Sequence, residues 1–237
     1  MRLGACVWIV LAFLAGCRSC SKTEATKDAA APAASIAAPL ITDEIRYLAL
    51  GDSFTIGTGS SPAESFPARL ADRWRQAGKK VTLRNLGVNG FTTDDLSQRE
   101  LPQVRPFRPN FVTLAIGAND RVHKVPIEVY RRHLSEILDE LVKAGVPPKQ
   151  IVALPQPEWS LSPAASSFGT PAALGADIVA FNGVLKAEAE KVGARYIDLY
   201  PLMHQQAEAK MIASDGLHPN AKAHDEWAAE LARSALP

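Results

Sequence analysis

The strongest constraint on the fold is an alternation of short apolar runs with amphipathic stretches. "IRYLAL" (45–50), "KVTLRNL" (80–86), "FVTLAIG" (111–117), "IVALP" (151–155) and "ARYIDLY" (194–200) read as strands. Their continuous apolar character suits a parallel sheet buried on both faces. Between them, Ser61-Pro62-Ala63-Glu64 reads as a capping box that opens a helix, and Phe66, Leu70 and Trp74 follow at four-residue spacing. Residues 126–144 place Ile127, Tyr130, Leu134, Ile137, Leu138 and Leu141 on one stripe, which Gly145 ends. Ile178, Phe181, Leu185 and Val192 mark a third helix, and Trp227 with Leu231 a last one. This alternation with short connections predicts a doubly wound α/β fold, five parallel strands with helices on both faces. At 237 residues, 47% of them hydrophobic, the chain can bury one ample core. Its formal net charge of +1 gives no electrostatic reason to expect a nucleic-acid partner.

In sheets of this kind ligands bind beyond the carboxyl ends of the strands, so the residues just after each strand matter most. The first strand runs into Gly51-Asp52-Ser53 and the second into "NLGVNGFTTDD", with Gly87 and Gly90. Gly117-Ala118-Asn119-Asp120 follows the third, and Asp215-Gly216-Leu217-His218-Pro219 lies beyond the fifth. Together they hold a serine, a glycine amide, an asparagine amide and an Asp-His pair, the parts needed for acyl transfer through a serine nucleophile.

These four blocks resemble those of the SGNH (GDSL) hydrolase superfamily, and the resemblance runs from about residue 45 to the C-terminus. The matching segments are "GDSFTIG", "NLGVNG", "GAND" and "DGLHP"; Ala118 stands where many relatives have glycine, and keeps that position small. The resemblance implies a flavodoxin-like three-layer α/β/α sandwich without the G-x-S-x-G elbow of α/β-hydrolases. That elbow is absent, since Thr55 occupies the place of its last glycine. In this scheme Ser53 is the nucleophile, His218 the general base and Asp215 the carboxylate that orients it. The amides of Ser53 and Gly90 and the side chain of Asn119 form the oxyanion hole. Glycine at position 90 is expected because close backbone approach tolerates no Cβ.

Other polar residues take ordinary readings. Asp52 is expected to hydrogen-bond its own turn, Asp120 to anchor its loop and His224 to be solvated. His123, His133 and His204 have no paired ligand spacing, so no metal site is assigned, and no cofactor is called for. The long segment 155–170, with Trp159 and Phe168, is read either as a wall of the acyl pocket or as a cap on the sheet.

The N-terminus is a different material. Met1-Arg2 precedes the apolar run "LGACVWIVLAFLAG", the layout of a secretory signal. Leu14-Ala15-Gly16-Cys17 looks like a bacterial lipobox, which implies a signal peptide over residues 1–16 and lipidation of Cys17. Residues 17–44 then form a lipid-bearing, Ala/Pro-rich tether with a reach of roughly 30 Å, and residues 45–237 the hydrolase domain. Cys6 leaves with the signal and Cys20 has no partner in the body of the chain, so no disulfide framework is expected. Arg18 after Cys17 leans toward the outer membrane, facing either the periplasm or the surface.

The expected activity is a serine esterase acting through an acyl-enzyme, similar to lysophospholipases and arylesterases, on a small-molecule, lipid or glycan ester. A carbohydrate O-acetylesterase is the alternative within that chemistry. A lipid-anchored binding module on an esterase scaffold is the alternative outside it.

Overall fold

The computed structural model describes residues 44–235. The proposed signal, Cys17 and nearly all of the tether lie outside the described residues. Five strands form one all-parallel sheet in the order β2-β1-β3-β4-β5. They are β1 (Glu44–Gly51), β2 (Lys80–Asn85), β3 (Phe111–Ala115), β4 (Ile151–Ala153) and β5 (Arg195–Tyr196). The chain moves outward from β1 to β2, then returns to place β3 on the other side of β1, so the order reverses beside β1. Crevices form at such reversals, at the carboxyl ends of the strands.

Period-two alternation along β1 divides its side chains between two cores. Ile45, Tyr47 and Ala49 face one layer, with Phe66, Leu70 and Trp74 of α2 (Phe66–Gln76) and Trp227 and Leu231 of the last helix. Tyr47, Trp74 and Phe111 meet edge to face, with centroids 4.9–5.6 Å apart. Leu48 and Leu50 face the opposite layer, where the stripes of two long helices, 127–143 and 171–191, bury Tyr130, Leu134, Ile137, Phe181 and Leu185. Both sheet faces are therefore covered, as the uninterrupted apolar strands require.

Several boundaries differ from the sequence expectation. The domain's first strand takes in Glu44, one residue earlier than expected. The Ser61–Glu64 capping box is present, but it closes a single 3-10 turn, Pro62–Glu64, and α2 starts afresh at Phe66. Pro67 explains the break: inside a continuous helix it would remove a backbone bond and clash with the preceding turn, whereas near an N-terminus it costs nothing. The expected strand 194–200 is shortened to two residues. Asp198 accepts the Tyr200 amide at 3.1 Å, and a helix spans Tyr200–Glu208. Among the described residues no helix is long and apolar enough to cross a membrane.

Candidate active site

Ser53 is the first residue of α1 (Ser53–Ile56), a one-turn helix that leaves β1 directly. Asp52 caps it, its carboxylate accepting the Phe54 amide at 3.0 Å, as its turn-forming reading expects. Gly51 has no room for a side chain: a Cβ would lie 2.1 Å from the carbonyl oxygen of Ala115, and φ is +152°. A bare glycine thus lets β1 and β3 run together until the chain turns upward into Ser53.

His218 arrives from a loop 165 residues away, and its Nε2 lies 2.9 Å from Ser53 Oγ. Its Nδ1 lies 2.7 Å from Asp215 Oδ2. The other oxygen of Asp215 accepts the amides of Leu217 at 2.9 Å and His218 at 3.0 Å. Burial pushes the Asp215 carboxyl up, but these two amides and the His218 ring outweigh it and hold it below the ordinary carboxylate value. An ionised Asp215 only accepts, so Nδ1 carries the proton and Nε2 is left to accept from the serine hydroxyl. Ser53, Asp215 and His218 are therefore brought together as one hydrogen-bonded chain.

The second and third segments are fastened to each other beside it. Asn119 lies in α5 (Ala118–Val122) and donates from Nδ2 to the Phe91 carbonyl at 3.0 Å, which leaves its second N–H for another acceptor. Next to it, buried Asp120 accepts the Thr93 amide at 3.0 Å and also the Thr93 hydroxyl, so it anchors the loop as expected. Gly90, two residues before Thr92, has φ +82°. Apart from its own residue and its two chain neighbours, no protein atom lies within 4 Å of where its Cβ would stand, so the backbone conformation, not crowding from the protein, asks for glycine here. That replaces the expected reason with another. The amide of Ser53 has no partner within its own helix, being in the first turn.

Three carboxyl groups lie buried beneath this assembly. Burial pushes Asp52 up to about 7, against the Phe54 amide, with Asp120 adding repulsion. Burial likewise raises Asp120, opposed by its bonds from Thr93. Glu100 escaped the sequence reading. It follows α3 (Thr93–Arg99), a helix without an apolar stripe, and its Oε2 accepts the Gly51 amide at 3.0 Å. The available signal was local: Thr92 and Asp95 form a capping box that announces α3.

His224 was expected in solvent and is fully buried, with neither ring nitrogen hydrogen-bonded. Its ring lies 4.9 Å from Trp227 and 6.4 Å from Phe66. Segment 155–170 braces the site, and its residues 155–159 line two small pockets together with Phe54. Trp159 is buried and donates its indole N–H to Gln156 at 3.0 Å, and the Ala164 amide donates to the Gly216 carbonyl at 3.0 Å. The segment thereby holds the loop that carries His218. Among the described residues no group of three or more His, Cys, Asp or Glu side chains is arranged to hold a metal ion.

A doubly wound parallel sheet with a Ser–His–Asp chain at its carboxyl edge, and no G-x-S-x-G elbow, has the layout of an SGNH-type hydrolase. Residues 49–226 match the model of the GDSL-like Lipase/Acylhydrolase family, and the chain belongs to that family. It is an ester-hydrolysing enzyme of the GDSL type. It is 32% identical to an arylesterase of Vibrio mimicus over 101 residues, 42% of this chain, and spans half the length of that protein. It is 23% identical to thioesterase 1/protease 1/lysophospholipase L1 of Escherichia coli over 194 residues, covering 80% of this chain and 83% of the relative. Among solved structures, TesA superposes with a TM-score of 0.67 at 19% identity, over 81% of this chain and 98% of its own, a likeness of fold.

Proposed function

We propose that the enzyme hydrolyses carboxylic esters through a covalent acyl-Ser53 intermediate, with a substrate range like that of arylesterases and lysophospholipases. The observation that carries this is the unbroken run Ser53 Oγ–His218 Nε2 at 2.9 Å and His218 Nδ1–Asp215 at 2.7 Å. In the first step Ser53 Oγ bonds to the ester carbonyl carbon while its proton passes to His218 Nε2. The imidazolium so formed is stabilised by Asp215 and returns the proton to the departing alcohol oxygen. Water then repeats the sequence on the acyl-serine. The amides of Ser53 and Gly90 and the second N–H of Asn119 are the donors assigned to the oxyanion. Loss of one such donor typically lowers turnover on the order of 10²–10³-fold.

A fluorophosphonate probe tests the nucleophile. It is expected to label the wild-type enzyme and not Ser53→Ala, and equal labelling of the two would overturn the assignment. A chain-length series of p-nitrophenyl esters tests the substrate class, a sharp preference for acetyl pointing to a deacetylase instead.

Upstream of the domain, the run ending Leu14-Ala15-Gly16-Cys17 supports an exported, lipid-anchored location for the same enzyme.

A further inference from the structure

Beside the site an open groove of about 520 Å³ lies between the segment 56–62 and the segment 87–89. Three observations place it beside the reacting groups. The Thr58 amide donates to the Ser53 carbonyl at 3.0 Å. A Cβ on Gly59 would stand 3.2 Å from His218 Cβ and 3.4 Å from Asp215 Oδ2. Asn89, at the other wall, adjoins Gly90. One wall of the groove is therefore packed against the base that must protonate the leaving oxygen.

Its lining has a definite chemistry. Ile56, Pro62 and Val88 supply apolar surface, and Thr58, Ser60 and Asn89 supply hydrogen-bonding groups. Val88 is 41% exposed and presents an apolar surface to the groove. The Thr58 hydroxyl donates to Asn89 Oδ1 across the groove, so Asn89 retains both amide N–H groups as donors. No charged side chain lines it, and the carboxylate closest to Gly59 is that of Asp215. A phosphate-bearing alcohol such as that of a lysophospholipid would find no cation here, so of the two substrate ranges proposed above the groove favours the arylesterase-like one. The two enclosed voids beneath Phe54, about 10 and 20 Å³, hold no more than a water each, so neither takes a bulky substituent.

We infer that this groove is the leaving-group subsite, and that it selects esters of an uncharged, ring-sized alcohol through Val88 and Asn89. The inference rests on the serine-esterase reading above and deepens it. When the tetrahedral adduct collapses, the bond between the former carbonyl carbon and the alcohol oxygen breaks. His218 Nε2 gives that oxygen the proton taken from Ser53, the acyl group stays on Ser53, and the neutral alcohol departs along the groove.

Val88→Arg and Val88→Glu test it as a charge pair, each compared with the wild type on phenyl acetate and 4-acetoxybenzenesulfonate. Relative to phenyl acetate, Val88→Arg is expected to raise kcat/KM for the sulfonate by roughly two- to fivefold, the scale of an exposed ion pair, and Val88→Glu to lower it. The ratio of p-nitrophenyl octanoate to p-nitrophenyl acetate is expected to stay unchanged in both. A higher wild-type kcat/KM for methyl 6-O-acetylglucoside than for phenyl acetate assigns the ring to a sugar, and the reverse to an arene. A sulfonate ratio unmoved by either charge, or a shift in the octanoate ratio instead, overturns the inference, the latter by assigning the groove to the acyl chain. Absence of fluorophosphonate labelling at Ser53 in the wild type marks failure of the esterase reading itself.

Discussion

At the scale of single residues, His224 has the clearest consequence for stability. Burial pushes it down to about 4, with the nearby His218 adding to the shift and Glu64 opposing it. The unfolded chain binds a proton here near the ordinary value of 6.5, while the folded chain stays neutral until about 4. Stability is therefore lost as pH falls from about 6.5 to 4. His224→Phe keeps a ring between Phe66 and Trp227 and removes that loss. Urea titrations are expected to show the variant gaining about 2–3 kcal/mol on the wild type at pH 4.5, compared with pH 7.5. Asp52 works the other way. Its folded value, raised to about 7, contributes stability below the ordinary carboxylate range that disappears as pH rises toward 7. His224 was misread because Lys222, Asp225 and Glu226 surround it in sequence. Its burial was nonetheless legible in the spacing, since His224, Trp227, Ala228 and Leu231 share one face at i, i+3, i+4 and i+7.

At the scale of elements, the short ones escaped the sequence reading and the long ones did not. The helix at 127–143 came within a residue of its expected ends because five core residues repeat on one face. The stretch 93–99 buries only Thr93 and Leu96, so hydrophobic periodicity could not reveal it. Yet α3 delivers Glu100 to the amide at the end of β1. Burial pushes Glu100 up to about 9, against the Gly51 bond, and Asp52 adds repulsion. Glu100 is thus protonated at neutral pH, and the stability it contributes is lost progressively as pH rises from about 4.5 to 9. Glu100→Gln preserves an acceptor for Gly51 without the ionisation. Its denaturation midpoint is expected to exceed that of the wild type by a margin that widens between pH 6 and pH 9. A constant margin would show that Glu100 does not titrate in this range.

At the scale of the whole molecule, the class of fold was readable and the assembly of the site only in part. The strand–helix alternation specified a parallel sheet covered on both faces. The order β2-β1-β3-β4-β5 depends on which faces cover one another, which local patterns do not encode. The blocks at 51–53, 117–120 and 215–219 were conspicuous by composition. The groove at 56–62 and 87–89 was not, because its small and polar residues look like any turn until two distant loops close on each other. The proposed anchor also belongs to this scale. Cys17→Ser is expected to abolish incorporation of labelled palmitate and move the enzyme to the soluble fraction, with kcat/KM toward p-nitrophenyl acetate unchanged. Retained palmitate would rule out Cys17 as the acylation site.

The 165-residue separation of Ser53 from His218 has a bearing on the life of the chain. All five described strands have been synthesised by Tyr196, yet His218 follows more than twenty residues later, on the loop before the helix Ala221–Ser234. Under the mechanism proposed above, a growing polypeptide carries Ser53 in an inert form until residue 218 has been made. In that mechanism reactivity switches on only when the loop carrying His218 docks beside Ser53, so hydrolysis reports that this contact has formed, and termination before residue 218 yields a silent product.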